Sequence, residues 1–193
     1  MSQTLILLFH PDPSHSRANA ALAEAASALP DTQVVDMHAL YPGGQVDMFR
    51  DGPAEVARLL AADRIVLLFP VMWYSTPPLL KAWQDAVLTR MFYVHPETEG
   101  RGLEGKPLMV ATTAGNVPEA YRPGGRNLFT MEALMAPLMA TANRCGLTWT
   151  APFVVYQADK LTDEALAAAA GEFQQTLQDW ASPPVRQLLA AGA

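Results

Sequence analysis

Three stretches of this chain are apolar without interruption over the length of one strand: Thr4 to Phe9 (TLILLF), Arg64 to Phe69 (RIVLLF) and Pro107 to Thr112 (PLMVAT). A strand with one wet face shows a polar residue at every second position. Runs without that alternation belong to strands covered on both sides, as in a parallel sheet. Two weaker candidates complete the set, Gln33 to Asp36 (QVVD) and Thr148 to Val155 (TWTAPFVV). Helical patterns lie between and after them: Ala18 to Leu29, Pro53 to Ala62 with Pro53 suited to a first turn, Pro78 to Phe92, Met131 to Cys145, and Thr162 to Trp180. Gly146 is placed to end the fourth helix in the left-handed conformation, and Thr162 to cap the fifth ahead of Asp163 and Glu164.

Alternating β and α elements require right-handed crossovers with helices on both faces. The fold class expected is therefore α/β, a three-layer doubly wound parallel sheet of five strands in the flavodoxin-like order 2-1-3-4-5. With 193 residues, half of them hydrophobic, one domain spanning 1–193 can bury a sufficient core without disulfides or a structural metal. The tail from about residue 182 reads as a loose appendage or a docking arm.

The formal net charge of -6 and the scatter of 13 lysines and arginines argue against a nucleic-acid partner, since phosphate binding needs a basic surface. Cys145 is the one cysteine, so no intrachain disulfide forms and no Cys/His cluster has zinc-ligand spacing; no metal site is expected. His10-Pro11 interrupts the first apolar run before it could act as a signal-peptide core or span a bilayer, and a cytoplasmic location is expected.

Ligands of doubly wound sheets bind outside the carboxyl ends of the strands, which directs attention to three loops. After the first strand, His10-Pro11-Asp12-Pro13-Ser14-His15-Ser16-Arg17-Ala18-Asn19 contains no glycine, so it is neither a dinucleotide G-x-G-x-x-G turn nor a Walker A loop. A helix starting there aims free backbone N–H groups at the crevice, and Ser16, Arg17 and Asn19 can complete a cage for one phosphate. Ordinary capping by Ser14 or Ser16 explains the serines equally well. After the third strand, Pro70-Val71-Met72-Trp73-Tyr74-Ser75-Thr76-Pro77-Pro78 puts two adjacent aromatics in a proline-bounded loop, which suits a flat heteroaromatic ligand or, alternatively, a core or subunit contact. After the fourth, Thr112-Thr113-Ala114-Gly115-Asn116 supplies small residues, hydroxyls and N–H donors. Together the loops offer a phosphate end, an aromatic middle and a donor-rich edge, the outline of a flavin mononucleotide.

The stretches HPxxxxSxAN from His10 to Asn19, PVMWYSTPPLLK from Pro70 to Lys81 followed by Trp83 and Asp85, GxxLxGK ending at Lys106, TTAGN from Thr112, and Pro137-Leu138 to Cys145-Gly146-Leu147 resemble the flavodoxin-like NAD(P)H:quinone oxidoreductases. That family includes the modulator-of-drug-activity type and the ancillary subunits of glutathione-gated potassium efflux systems, and the likeness spans roughly residues 4 to 180. The resemblance implies FMN as cofactor, with FAD as the alternative, NADPH or NADH as donor, and ping-pong transfer of two electrons to a quinone-type acceptor. By the same resemblance Ser16, Arg17, Ala18 and Asn19 hold the flavin phosphate and His10 sits near it or the ribityl chain. Pro70, Val71, Met72, Trp73 and Tyr74 line the ring, and Thr112, Thr113, Ala114 and Gly115 bond its pyrimidine edge.

Relatives often have Gly-Gly where this chain has Ala114-Gly115, which is tolerable if Ala114 keeps φ below zero. Tyr121 and Arg126 are the counterparts expected to face the pyrimidine side and stabilise the reduced flavin. The resemblance further implies a homodimer whose interface includes the loops Asp36 to Met48 and Tyr93 to Lys106. It also implies, as an alternative function, docking on the cytosolic domain of a membrane potassium transporter. A one-electron carrier and a flavin-free binding module remain as other readings of the same fold.

Overall fold

The structure, a computed structural model, describes residues 3–12 and 15–181. The strands β1 (Thr4–Leu8), β2 (Thr32–Asp36), β3 (Arg64–Pro70) and β4 (Pro107–Thr113) lie parallel, with β1 between β2 and β3 and β3 between β1 and β4. The expected fifth strand is broken into β5 (Thr148–Trp149) and β6 (Phe153–Val155), both parallel to β4. The sheet thus has six strands on the order 2-1-3-4-5, β6 continuing the outer edge. Pro152 lies between the two pieces and has no N–H to donate to the ladder; the last bond before the break runs from the Thr150 amide to the Leu108 carbonyl, 2.8 Å.

The unbroken apolar runs are explained by what covers them. Leu5, Leu7, Phe9, Ile65, Leu67, Phe69, Leu108 and Val110 face one core. They pack there against α3 (Gly52–Ala61), α4 (Pro78–Trp83) and α6 (Ala136–Arg144) through Val56, Leu59, Leu79, Leu80, Trp83, Leu138 and Ala142. The intervening Ile6, Leu8, Val66, Leu68, Met109 and Ala111 face a second core with Leu22 and Ala26 of α1 (Arg17–Ser27) and Phe173 and Leu177 of α7 (Asp163–Ala181). Each such side chain, taken fully out of water, contributes roughly 1.5–3 kcal/mol.

Two expected helices are modified. From Pro78 onward only α4 is α-helical; Gln84–Leu88 and Arg90–Val94 are π-helical turns. The buried residues Leu79, Trp83, Val87 and Met91 recur every fourth position, a spacing that drifts by about 40° per step around an α-helix. The wider π turns cancel that drift and keep all four on the core. The next helix splits into α5 (Met131–Leu134) and α6 at Met135, because Pro137 cannot donate to the carbonyl four residues earlier.

The caps read from sequence are present. Gly146 has φ +69° after α6, and the Thr162 hydroxyl accepts from the Ala165 amide at 3.2 Å at the start of α7. A short helix not anticipated, α2 (Met37–Leu40), is capped by Asp36, whose carboxylate accepts from the His38 and Ala39 amides. Among the described residues no helix is long and apolar enough to cross a membrane. The tail from 182 and the alternative cap Ser14 lie outside the described residues.

Candidate functional site

The carboxyl ends of β1, β3 and β4 adjoin. Pro70 pairs with Thr113 in register, the Val71 amide donates to the Thr113 carbonyl at 2.8 Å, and the Phe9 amide donates to the Leu68 carbonyl at 2.8 Å. The three loops singled out from sequence therefore leave the sheet side by side.

At the first loop, Ser16 caps α1 in extended conformation and its hydroxyl accepts from the Asn19 amide at 3.3 Å. The amides of Arg17 and Ala18, in the first turn, have no intrahelical acceptor. Ser16, Ala18 and Asn19 are buried. The Asn19 side-chain amide donates to Ser16 Oγ at 3.1 Å and to Thr113 Oγ1 at 3.0 Å, tying the first loop to the fourth strand, while Asn19 Oδ1 is buried without a partner.

Arg17 departs from its expected place as a phosphate ligand. Its guanidinium donates to the Leu161 carbonyl at 3.1 Å and pairs with Asp163 at 2.5 Å, fastening α1 to the start of α7. Among the described residues, what remains without a partner at this end of the helix is the first-turn backbone amides and Asn19 Oδ1. His10 Nδ1 accepts from the Asp12 amide at 3.0 Å, which fixes the ring proton on Nε2 when the ring is neutral. Burial depresses its pKa, partly offset by the nearby carboxylates of Asp12 and Asp36.

At the second loop, Met72 and Ser75 exchange backbone hydrogen bonds of 2.9 and 3.0 Å around a two-residue turn. Its central residues, Trp73 and Tyr74, have φ of +47° and +65°. Type I′ turns of this kind normally carry Asn-Gly, because residues with large side chains are strained there by about 1–2 kcal/mol each. The strained turn holds Trp73 92% and Tyr74 48% exposed, with Met72 also at the surface. Straining the backbone to expose a tryptophan does nothing for the folded chain by itself, and such outliers concentrate at ligand sites.

At the third loop, most of the polar groups expected to face a ligand are engaged within the protein. Thr112 Oγ1 donates to the Phe69 carbonyl at 2.7 Å, Thr113 Oγ1 accepts from Asn19, and the Ala114 amide donates to the Val155 carbonyl at 2.8 Å. Ala114 keeps φ below zero, as its side chain requires. The Gly115 amide has no partner among the described residues, and a Cβ there would meet only Asp159 Oδ1, at 3.6 Å.

Between the second and third loops opens a cleft of about 380 Å³ lined by Val71, Trp73, Tyr74, Gly115, Asn116, Tyr121, Arg126, Asn127 and Lys160. Tyr121 and Arg126, matched from sequence only loosely, are thus brought to the same wall. The Tyr121 ring packs on that of Tyr156 at 5.5 Å between centroids; burial raises the pKa of its hydroxyl, so it remains a neutral donor and acceptor at neutral pH. Gly125 makes this placement possible. A Cβ there would lie 2.6 Å from the Ala120 carbonyl oxygen and 2.7 Å from that of Glu119. The Asn127 amide meanwhile donates to the Ala120 carbonyl at 2.9 Å, and the Tyr74 hydroxyl reaches Asn127 Oδ1 at 3.5 Å.

Sequence reasoning missed Asn127 and Lys160. The signal for Lys160 was present: it follows the last strand at the same carboxyl edge, a loop the ligand rule covers as well as the others. Cys145 is buried and its thiol is pushed up to about 11, which makes it a packed apolar group.

Comparison with known proteins shows the family. The chain is 39% identical to the glutathione-regulated potassium-efflux system ancillary protein KefF of Klebsiella pneumoniae over 177 residues, which is 91% of this chain and 95% of that protein. The general stress protein 14 of Treponema denticola, solved in complex with FMN, superposes with a TM-score of 0.82 at 27% identity, covering 92% of this chain and 98% of the other. An NADPH-quinone reductase of P. pentosaceus superposes with a TM-score of 0.76 at 29% identity, covering 90% and 96%. A family model described as a flavodoxin-like fold matches residues 2–177, and the chain belongs to that family.

Proposed function

We propose that this protein is an FMN-dependent NAD(P)H:quinone oxidoreductase acting in the cytoplasm. The observation that carries the reading is the strained, exposed Trp73-Tyr74 turn facing the Gly115 loop across one cleft, in line with the capped start of α1 along the carboxyl edge of the sheet. The residues present fit the cofactor. The α1 amides of Arg17 and Ala18, with Ser16, receive the phosphate. The orphaned Asn19 Oδ1, an acceptor unsuited to phosphate, accepts from a ribityl hydroxyl, with neutral His10 as a nearby donor.

Pro70 to Tyr74 line the ring, Gly115 donates to its pyrimidine edge, and Thr112, Thr113 and Ala114 act as the frame that holds Gly115 in place. When bound, the flavin would supply two-electron hydride chemistry between NAD(P)H and the acceptor. The protein holds the reactants in position, and Tyr121 with Arg126 places a donor and a positive charge where negative charge develops. No side chain is required as a nucleophile.

Two copies pairing would cover Leu40, Phe49, Tyr93 and Val94, which are large and exposed. The similarity to KefF favours a second reading, docking on a transporter's cytosolic domain, which co-purification with such a transporter tests. For the reductase, the purified protein is titrated with FMN or FAD, its visible spectrum recorded, and NAD(P)H added without oxygen. Loss of the oxidised-flavin band without a radical intermediate, followed by its return with a quinone, is expected. A chain that takes up neither flavin overturns the reading.

A further inference from the structure

Among the cations of the described residues, Arg126 and Lys160 are two that no carboxylate, carbonyl or aromatic ring holds, and they share one cleft. Among the described residues, the remaining lysines and arginines except Arg122 are held by carboxylates, carbonyls or aromatic rings; Lys106, for instance, donates to the carbonyls of Leu59, Leu60 and Ala62. Arg126 and Lys160 have no such partner there, come from different loops, and converge on one cleft whose walls are Trp73, Tyr74 and Tyr121. Neither Asp159 nor Glu119, close by in sequence, is among the residues lining that cleft, although Asp159 Oδ1 would stand 3.6 Å from a Cβ on Gly115 at its edge. In a chain of net charge -6, an anionic small molecule is repelled by the surface as a whole. Two unpaired cations beside aromatic faces reverse that field locally.

We propose that this cleft selects acceptors that carry an anionic group on their aromatic ring, a sulfonated or carboxylated quinone, with Lys160 as a specificity-determining residue. The assignment rests on the reductase reading. The reaction is balanced by NAD(P)H giving a hydride and solvent a proton, so that NAD(P)H is oxidised and the quinone is reduced to the hydroquinone with its charged substituent unchanged.

A unit-charge pair about 4 Å apart in water corresponds to roughly a fivefold effect on affinity. The test compares kcat/KM for a naphthoquinone bearing one sulfonate with that for its unsulfonated parent, in the FMN-loaded wild type and in Lys160→Met, at low and high salt. Flavin content and thermal unfolding of both proteins are measured alongside. The wild type is expected to favour the sulfonated quinone, the ratio is expected to fall about fivefold in Lys160→Met, and added salt is expected to shrink the wild-type ratio.

Equal use of both quinones by the wild type, or a ratio that Lys160→Met leaves intact, overturns the proposal. So does an effect of Lys160→Met confined to flavin reduction by NADPH in the absence of acceptor, which assigns the cations to the electron donor. Failure to reduce either quinone overturns the reductase reading itself.

Discussion

Replacing Trp73-Tyr74 by Asn-Gly converts the strained turn into the sequence its geometry prefers, and the consequences for stability and for binding should run in opposite directions. Both residues sit at positive φ, Trp73 is 92% exposed and Tyr74 48%. The backbone relief is about 1–2 kcal/mol at each position. Against this stand the modest contacts of Tyr74 and the entropy that a glycine adds to the unfolded chain, about 0.5–1 kcal/mol. A net gain of about 1–2 kcal/mol remains, and for a domain of this size each kcal/mol moves Tm by about 2–4 °C. Thermal unfolding followed by circular dichroism, on protein freed of flavin so that ligand linkage does not enter, is expected to show a rise of about 2–8 °C. The same variant is expected to bind FMN at least tenfold more weakly by fluorescence titration, having lost its aromatic wall. A lower Tm would refute the argument, since it would mean that the two rings pack productively where they are. Unaltered flavin affinity would show that the turn is strained for some other purpose.

Three further outcomes follow from the described contacts. Glu55 is 1% exposed and accepts from the Tyr41 hydroxyl and Trp83 Nε1, both at 2.9 Å, with Arg58 at 3.4 Å. Glu55→Ala is expected to cost about 3 kcal/mol in urea unfolding because it strands these donors, and Glu55→Gln distinctly less. Gly125→Ala forces the loop off the Glu119 and Ala120 carbonyls, so weaker binding of the acceptor and a loss of about 1–3 kcal/mol are expected; an inert substitution would mean the loop relaxes freely. Because the folded pKa of His10 is depressed below 6.5 by burial, the unfolded chain takes up that proton first. Stability assigned to His10 is complete above pH 6.5 and declines as pH falls from there to the folded pKa. The wild type should therefore lose more of its urea midpoint between pH 8 and pH 5.5, conditions chosen to bracket that value, than His10→Gln does.

Layering and strand order were legible because continuous apolar runs have few structural solutions, and Leu5 to Phe9 show why: adjacent residues feed opposite cores. What escaped the sequence depended on bonds formed across the fold. Pattern alone presents Thr148 to Val155 as one strand, and only the ladder reveals where the missing N–H of Pro152 interrupts it. The same holds at the site. The three loops could be found by their position after strands, and Trp73 with Tyr74 by their chemistry. That Arg17 turns to Asp163, or that Thr112 and Thr113 face inward to Phe69 and Asn19, is decided by partners up to 146 residues away. Lys160 could have been found by its position after the last strand, at the same carboxyl edge, but only the fold shows that it shares a cleft with Trp73, Tyr121 and Arg126.

The bond from Asn19 to Thr113 spans 94 residues, and the wall opposite it is finished only by Tyr156 and Lys160. During synthesis, β1 and the start of α1 emerge early and can form their turn, yet the place where a planar ligand would lie does not exist until most of the chain has left the ribosome and β4 has joined β3. Cofactor capture at this edge is therefore a late event, following closure of the sheet. A chain stalled or cleaved before residue 113 has no half-built pocket with which to sequester a flavin.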